Sequence, residues 1–226
     1  MVQTKHSYGN TYFRFMAILL TALAVLGFGL FGIKHIDQMP PPTTVLVCHA
    51  AAMLGWYALL ILQTQLIGRG NISTHKKLGR LSIGLVLGIL IFGTLLNEHT
   101  YSKGTPVNIV AANFGALLAL SIAYGVGLIY RNHPQIHKRA MLLAGIGCLS
   151  PALGRLVLFF DLPGPLAFLL FLALIASLWI FDMRTRKRPH KTSVILGITI
   201  IICQIGAFAF GSTLIWEQFV STLWGT

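Results

Sequence analysis

The sequence predicts an all-α fold, a polytopic bundle of transmembrane helices, and three observations carry that prediction. The first is composition. Of 226 residues, 55% are hydrophobic and only 10% charged, whereas a soluble domain is about 25% charged. The second is pattern: seven stretches reach the roughly 20 mainly apolar residues that a spanning helix needs, and turn-forming residues divide them. The third is charge placement. A net charge of +12 in a soluble chain would point to nucleic acid. Here the basic residues gather in alternate loops, which is a topology signal, and no nucleic-acid partner is expected.

The first span, 13–33, is too long for the apolar region of a signal peptide and no A-x-A-like site follows it, so it reads as an anchor. Pro40-Pro41-Pro42 separates it from the second, 44–67, and Gly68-Arg69-Gly70-Asn71 separates the second from the third, 78–97. Lys103-Gly104-Thr105-Pro106 precedes the fourth, 107–130, and Asn132-His133-Pro134 precedes the fifth, 140–160. Asp161-Leu162-Pro163 is the shortest break, a tight hairpin into the sixth span, 164–182; the seventh is 193–215. Inside the fifth span Ser150-Pro151 removes a backbone donor and predicts a bend. The sixth span is almost wholly apolar and is expected to face lipid. Gln204 and Ser212 in the seventh read as hydrogen bonders to other helices. Beyond it, Trp216, Phe219, Val220, Leu223 and Trp224 recur at helical spacing. They describe either an amphipathic helix in the outer interface or a continuation of span seven. The chain 1–226 thus reads as one membrane domain, with core helices over 44–160, peripheral helices at 13–33, 164–182 and 193–215, and an interfacial tail at 216–226.

The charges orient this bundle. The N-terminus and the second, fourth and sixth loops hold fourteen Lys and Arg, from Lys5 and Arg14 to the run Arg184-Thr185-Arg186-Lys187-Arg188, against the single acid Asp182, a balance of +13. The opposite side holds Lys34, Lys103 and Arg155 against Asp37, Glu98, Asp161 and Glu217, a balance of −1. Short loops rich in Lys and Arg stay cytoplasmic, so the N-terminus is expected in the cytoplasm and the C-terminus outside. Cys48, Cys148 and Cys203 lie singly in apolar stretches with no C-x-x-C, and read as packing residues rather than a disulfide framework.

A repeat underlies the middle of the chain. Leu66-Ile67-Gly68-Arg69 is followed after five residues by His75-Lys76-Lys77; 62 positions later Leu128-Ile129-Tyr130-Arg131 is followed after five by His137-Lys138-Arg139. Spans two–three and four–five therefore read as parallel repeats about an axis along the membrane normal.

With these residues in view, spans two to five resemble an uncharacterised family of bacterial multi-pass membrane proteins. The likeness is carried by His49, Trp56 and Gln63 or Gln65, by His75-x-x-Leu78-Gly79-Arg80, by His137-Lys138-Arg139-x-Met141, and by Pro151 and Arg155. It implies a four-helix unit with polar helix ends in a bacterial inner membrane. More distantly the layout resembles the four-helix b-type cytochromes, which hold haem between histidines. Here, however, no helix carries two histidines about fourteen residues apart.

Ionisable groups at membrane depth are expensive and often mark function. At the outer end, His49, Glu98, His99, Arg155 and Asp161 could line one pocket, with Asn97, Asn108 and Asn113 supplying amides. Within it His49, Glu98 and His99 form a candidate metal set. At the inner end His75 and His137 open spans three and five at equivalent repeat positions and could hold a haem b. The cofactor candidates are thus His49, His75, His99, His137 and Arg155. Arg69, Lys76, Arg131 and Lys138 are candidates for anionic lipid headgroups. His49, Trp56 and Gln63 lie seven apart and share one face of span two, drifting only ~20° per heptad. No Walker loop, H-E-x-x-H or G-x-S-x-G occurs, and span seven has no Lys for a retinal Schiff base; hydrolase and ATPase readings fall away. What remains is a membrane-embedded haem- or metal-binding redox or ligand-binding protein. The alternatives are an accessory or scaffold subunit, alone as a homo-oligomer or with a membrane-protein partner, and a small transporter.

Overall fold

Turn chemistry sets the helix boundaries. In the computed structural model, residues 2–39 and 41–225 are described, with side chains from Thr11 onward; the charge of Lys5, the proline at 40 and Thr226 of the tail lie outside the described residues. The elements are α1 (Val2–Lys34), a single 3₁₀ turn (Ile36–Gln38), α2 (Thr44–Gly68), α3 (Ile72–Tyr101), α4 (Val107–Ile129), α5 (Pro134–Gly147), α6 (Ser150–Phe159), α7 (Pro165–Arg186), α8 (Lys191–Phe210) and α9 (Leu214–Trp224). No strand occurs among the described residues. Thr43 caps α2 by accepting from Leu46 N at 3.3 Å, and Asn71 caps α3 by accepting from Thr74 N at 3.1 Å. Between α2 and α3 the chain reverses through Gly70 at φ +71°, which a side chain would strain. Prolines open α5 and α7 in their first turns, where the missing N–H has no helical partner anyway.

Six helices (α1 from Thr11, α2, α3, α4, α7 and α8) are long and apolar enough to cross a membrane, and α5 with α6 makes a seventh span if the bent pair counts as one. The α3 helix, 30 residues, exceeds its predicted apolar span. At 1.5 Å per residue it is about 45 Å long, longer than a ~30 Å hydrocarbon layer is thick.

The bend has a cause in one residue. Pro151 has no N–H, which leaves the Gly147 carbonyl, four residues back, without its helical donor. Gln204 of α8 fills that vacancy, its Nε2 donating to Gly147 O at 3.2 Å, while Ser150 Oγ donates to Gln204 Oε1 at 3.1 Å. The α5–α6 pair turns by 44° there. Gln204 is thus the interhelical bonder expected from sequence, but Ser212 is not: its hydroxyl donates to Phe208 O within its own chain turn.

One continuous apolar core joins α1 through α8, including Met16 and Leu20 of α1, Trp56 and Tyr57 of α2, Leu120 of α4 and Leu143 of α5. The α7 helix departs from the expected lipid-facing span. Phe171, Ile175, Leu178 and Asp182 are buried along one side, and only its other side, with Leu169 and Ile180, is exposed. Close helix approach is made by small residues. A Cβ at Gly115 of α4 would sit 2.6 Å from Ala207 Cβ and 2.8 Å from Cys203 O of α8, which is backbone-to-backbone packing of the kind membrane helices favour. All three cysteines are free. After Gly211-Ser212, Thr213 caps a new helix by accepting from Trp216 N at 3.3 Å. The tail is therefore a separate helix and not a continuation. Trp216 and Val220 pack on Val110 and Ala111 of α4, and Trp216 Nε1 donates to Val107 O at 2.9 Å.

Candidate functional site

The two histidines of the repeat meet. His75, in the first turn of α3, and His137, in the first turn of α5, have ring centroids 6.2 Å apart with planes at 90°. His137 Nδ1 lies 2.7 Å from the Gly127 carbonyl at the end of α4. A carbonyl only accepts, so neutral His137 carries its proton on Nδ1 and leaves Nε2 as a lone-pair donor. This is the orientation that metal-binding imidazoles adopt, one nitrogen tied to a carbonyl and the other free to ligate. His75 is less settled: its Nδ1 is buried and has no partner. Beside it, Gln63 Nε2 of α2 donates to the His75 backbone carbonyl at 3.2 Å, while Gln63 Oε1 is also buried and unpartnered.

Gln63 is the inner end of the α2 face read from sequence. That face is interior, and each of its three members leaves a buried polar atom without a partner: His49 Nδ1, Trp56 Nε1 and Gln63 Oε1. Trp56 stands edge-on to Tyr124 at 5.6 Å, and the Tyr124 hydroxyl shares a 2.8 Å hydrogen bond with Ser82. Opposite His49, α3 carries Gly93, where a Cβ would come 3.2 Å from His49 Cε1 and 3.1 Å from Leu117 Cδ2, a tight approach.

The outer set is distributed over three places. Arg155 donates to Pro151 O in its own helix at 3.1 Å, and its guanidinium stacks over Phe28 of α1 at 4.5 Å. Asp161 pairs with Lys34 at the end of α1 at 2.8 Å. Asn113 donates to Asn97 at 2.9 Å between α4 and α3, and Asn108 accepts from the neighbouring Ile109 N. Glu98 is exposed at the end of α3 beside half-buried His99. Among the described residues no three His, Cys, Asp or Glu side chains converge on a metal position, so His49, Glu98 and His99 are not joined as a three-ligand set. Arg155 and Asp161 stand apart from the rest of the outer set because α6 packs on α1 and carries them there.

Of the lipid-headgroup candidates, Arg69, Lys76 and Arg131 are exposed, whereas Lys138 turns inward with Nζ 4.8 Å from the Phe13 ring.

A buried ion pair was not singled out from sequence. Arg139 of α5 and Asp182 of α7 are 1% and 0% exposed and form a salt bridge through Arg139 Nη2. Arg139 Nε donates to Asp182 Oδ1 at 3.1 Å, and Arg139 Nη1 donates to Gln135 O at 2.9 Å. Asp182 Oδ2 accepts from Ser193 Oγ at 2.5 Å and from His190 N at 3.1 Å, which brings in α8. The signal was present: Asp182 is the only acid on the basic side, and it ends an apolar helix. His190 caps α8, its Nδ1 accepting from Thr192 N at 3.1 Å. Burial, then the nearby Arg139 and Arg186 cations, hold its imidazole below the usual range.

Comparison with protein-family models, with curated proteins and with solved structures gives no match. The family likeness therefore rests on the short motifs quoted above. At the coarser level, the apolar helices make the chain a multi-pass membrane protein by length and composition.

Proposed function

We propose that this is a cofactor-binding membrane protein of the bacterial cytoplasmic membrane, holding haem iron or a single transition-metal ion between His75 and His137 at its basic end. The observation that carries the reading is the pairing of these rings, with His137 locked as an Nε2 donor by the Gly127 carbonyl. The donor set fits. Two neutral imidazoles suit haem iron or a borderline divalent ion, and at ~2.0 Å per metal–nitrogen bond the two ligating atoms stand about 4 Å apart, compatible with rings 6.2 Å apart. Bound there, the group supplies one-electron exchange or an open coordination position. The chain's own contribution is to fix both rings on helix ends and keep His137 in one tautomer. Arg69, Lys76 and Arg131 around these ends are read as contacts for anionic headgroups of the inner leaflet.

The test is an optical spectrum with metal analysis of the detergent-purified protein. The expected result is a haem absorption band or a near-stoichiometric metal that His75→Ala and His137→Ala each abolish and His99→Ala leaves intact. A colourless, metal-free protein that keeps its helical fold overturns the reading in favour of an accessory subunit.

A further inference from the structure

The two halves of the repeat solve the same problem differently. In the second half the ring of His137 is fixed by the carbonyl of Gly127, ten residues back. The equivalent residue in the first half is Gln65, whose carbonyl accepts instead from Arg69 N at 3.0 Å. His75 therefore has no backbone acceptor of that kind. What it has is Gln63, already anchored on its backbone by the 3.2 Å bond from Nε2. Two buried atoms remain unpartnered on these two neighbours, His75 Nδ1 and Gln63 Oε1. One is a donor in the Nδ1–H tautomer and the other is an acceptor only. Buried polar atoms are rarely left unpaired, since each costs about 1–3 kcal/mol.

We propose that Gln63 is the positioning residue of His75: its side-chain carbonyl accepts from His75 Nδ1–H, doing for α3 what the Gly127 carbonyl does for α5. The step from the present geometry is a rotation of the imidazole toward the amide, with the Nε2 bond to the backbone kept. Both rings then carry their protons on Nδ1, which leaves both Nε2 lone pairs free for a ligand. The purpose of this clamp rests on the metal-centre reading; its existence does not.

The experiment is accordingly made first on metal-free protein. Histidine-¹⁵N solid-state NMR of the chain in lipid reads each neutral tautomer, with the His75 signal assigned by its loss in His75→Ala. His75 is expected as Nδ1–H in the wild type, as a mixture with Nε2–H in Gln63→Leu, and restored to Nδ1–H by the acceptor in Gln63→Glu, with His137 unchanged throughout. Zn²⁺ titration then reads the consequence: affinity about 10–100-fold weaker in Gln63→Leu, the usual loss on removing such a partner, and recovered in Gln63→Glu. An Nε2–H wild-type His75, or a tautomer indifferent to Gln63→Leu, overturns the clamp. Protein with the expected tautomers that binds neither Zn²⁺ nor haem overturns the metal centre alone.

Discussion

Asp182 shows how much one side chain can hold. Its carboxylate takes hydrogen bonds from Arg139, Ser193 and the His190 backbone, tying α5, α7 and α8 at one end of the bundle. Removing one member of a buried pair leaves the other charged and unpaired, a loss of about 3–5 kcal/mol. Asp182→Ala is expected to lower the unfolding free energy in detergent by that amount, with Asp182→Asn milder because it keeps an acceptor. The double variant Arg139→Met/Asp182→Leu is expected to recover most of the loss, since no isolated charge remains. Sequence reading counted Asp182 only as a charge of the sixth loop, whereas it is a buried residue of the last turns of α7. Its partner was hidden because Arg139 sits in a run, His137-Lys138-Arg139, whose members look alike until the helix turns them apart. Lys138 goes to Phe13 and Arg139 to the carboxylate. His190, next to this pair, makes stability pH-dependent. Its folded-state pKa lies below the ordinary ~6.5, so as pH falls through that range the unfolded chain binds a proton first and stability drops. Arg139, Arg186 and Lys138 oppose the protonated form and Asp182 favours it. From pH 7.5 to 5.5 the unfolding midpoint of the wild type is expected to fall further than that of His190→Asn, which keeps a capping acceptor for Thr192 N. Equal falls in the two proteins would dismiss His190 as the cause.

At the scale of elements, the apolar runs and their punctuation were legible because both are local. Helix-spanning stretches, the Pro151 bend and the interior face of α2 are properties of neighbouring residues and their spacing. The convergence of the outer polar residues was not legible, because it depends on where α6 points after a 44° turn, and no spacing rule encodes a direction. The pairing of His75 with His137 was legible only through the recurring L-I-x-R-x5-H-K motif, which sets a histidine at each of two distant helix starts. The bend itself is a testable partnership between α5–α6 and α8. Gln204→Leu strands the Gly147 carbonyl in the core and is expected to cost about 1–3 kcal/mol. In a Pro151→Ala background residue 151 regains its N–H, the carbonyl has a helical donor again, and the same substitution is expected to cost markedly less. A double-mutant cycle on unfolding free energies measures this coupling; strict additivity would separate Gln204 from the bend. Where α4 and α8 touch at Gly115, added volume has nowhere to go, because the nearest atoms include the Cys203 carbonyl. Gly115→Ala is expected to destabilise by about 1–3 kcal/mol, read in the same unfolding assay.

For the whole molecule, the remaining question is which end faces the cytoplasm. The fold supplies the alternation: the α2–α3, α4–α5 and α7–α8 turns share one end, as the contacts of His75 with His137 and of Arg139 with Asp182 require. By sequence, +13 falls to that end, Lys5 included, and −1 to the other. Orientation follows Lys and Arg in short loops rather than net charge, and fourteen such residues stand against three. The bias is also redundant. Converting Arg184, Arg186, Lys187 and Arg188 to Gln still leaves ten basic residues at that end, so the orientation is expected to survive even this change. The measurement uses protein whose native cysteines are replaced, with a single Cys introduced at Lys103 or at Arg188. In sealed cells a membrane-impermeant maleimide is expected to label position 103 at once and position 188 only after permeabilisation. The four-Gln chain, with its probe moved to Lys76, is expected to keep that pattern. Labelling of position 188 in sealed cells would reverse the bundle, and would place the His75–His137 pair at the outer surface instead of beside the cytoplasm.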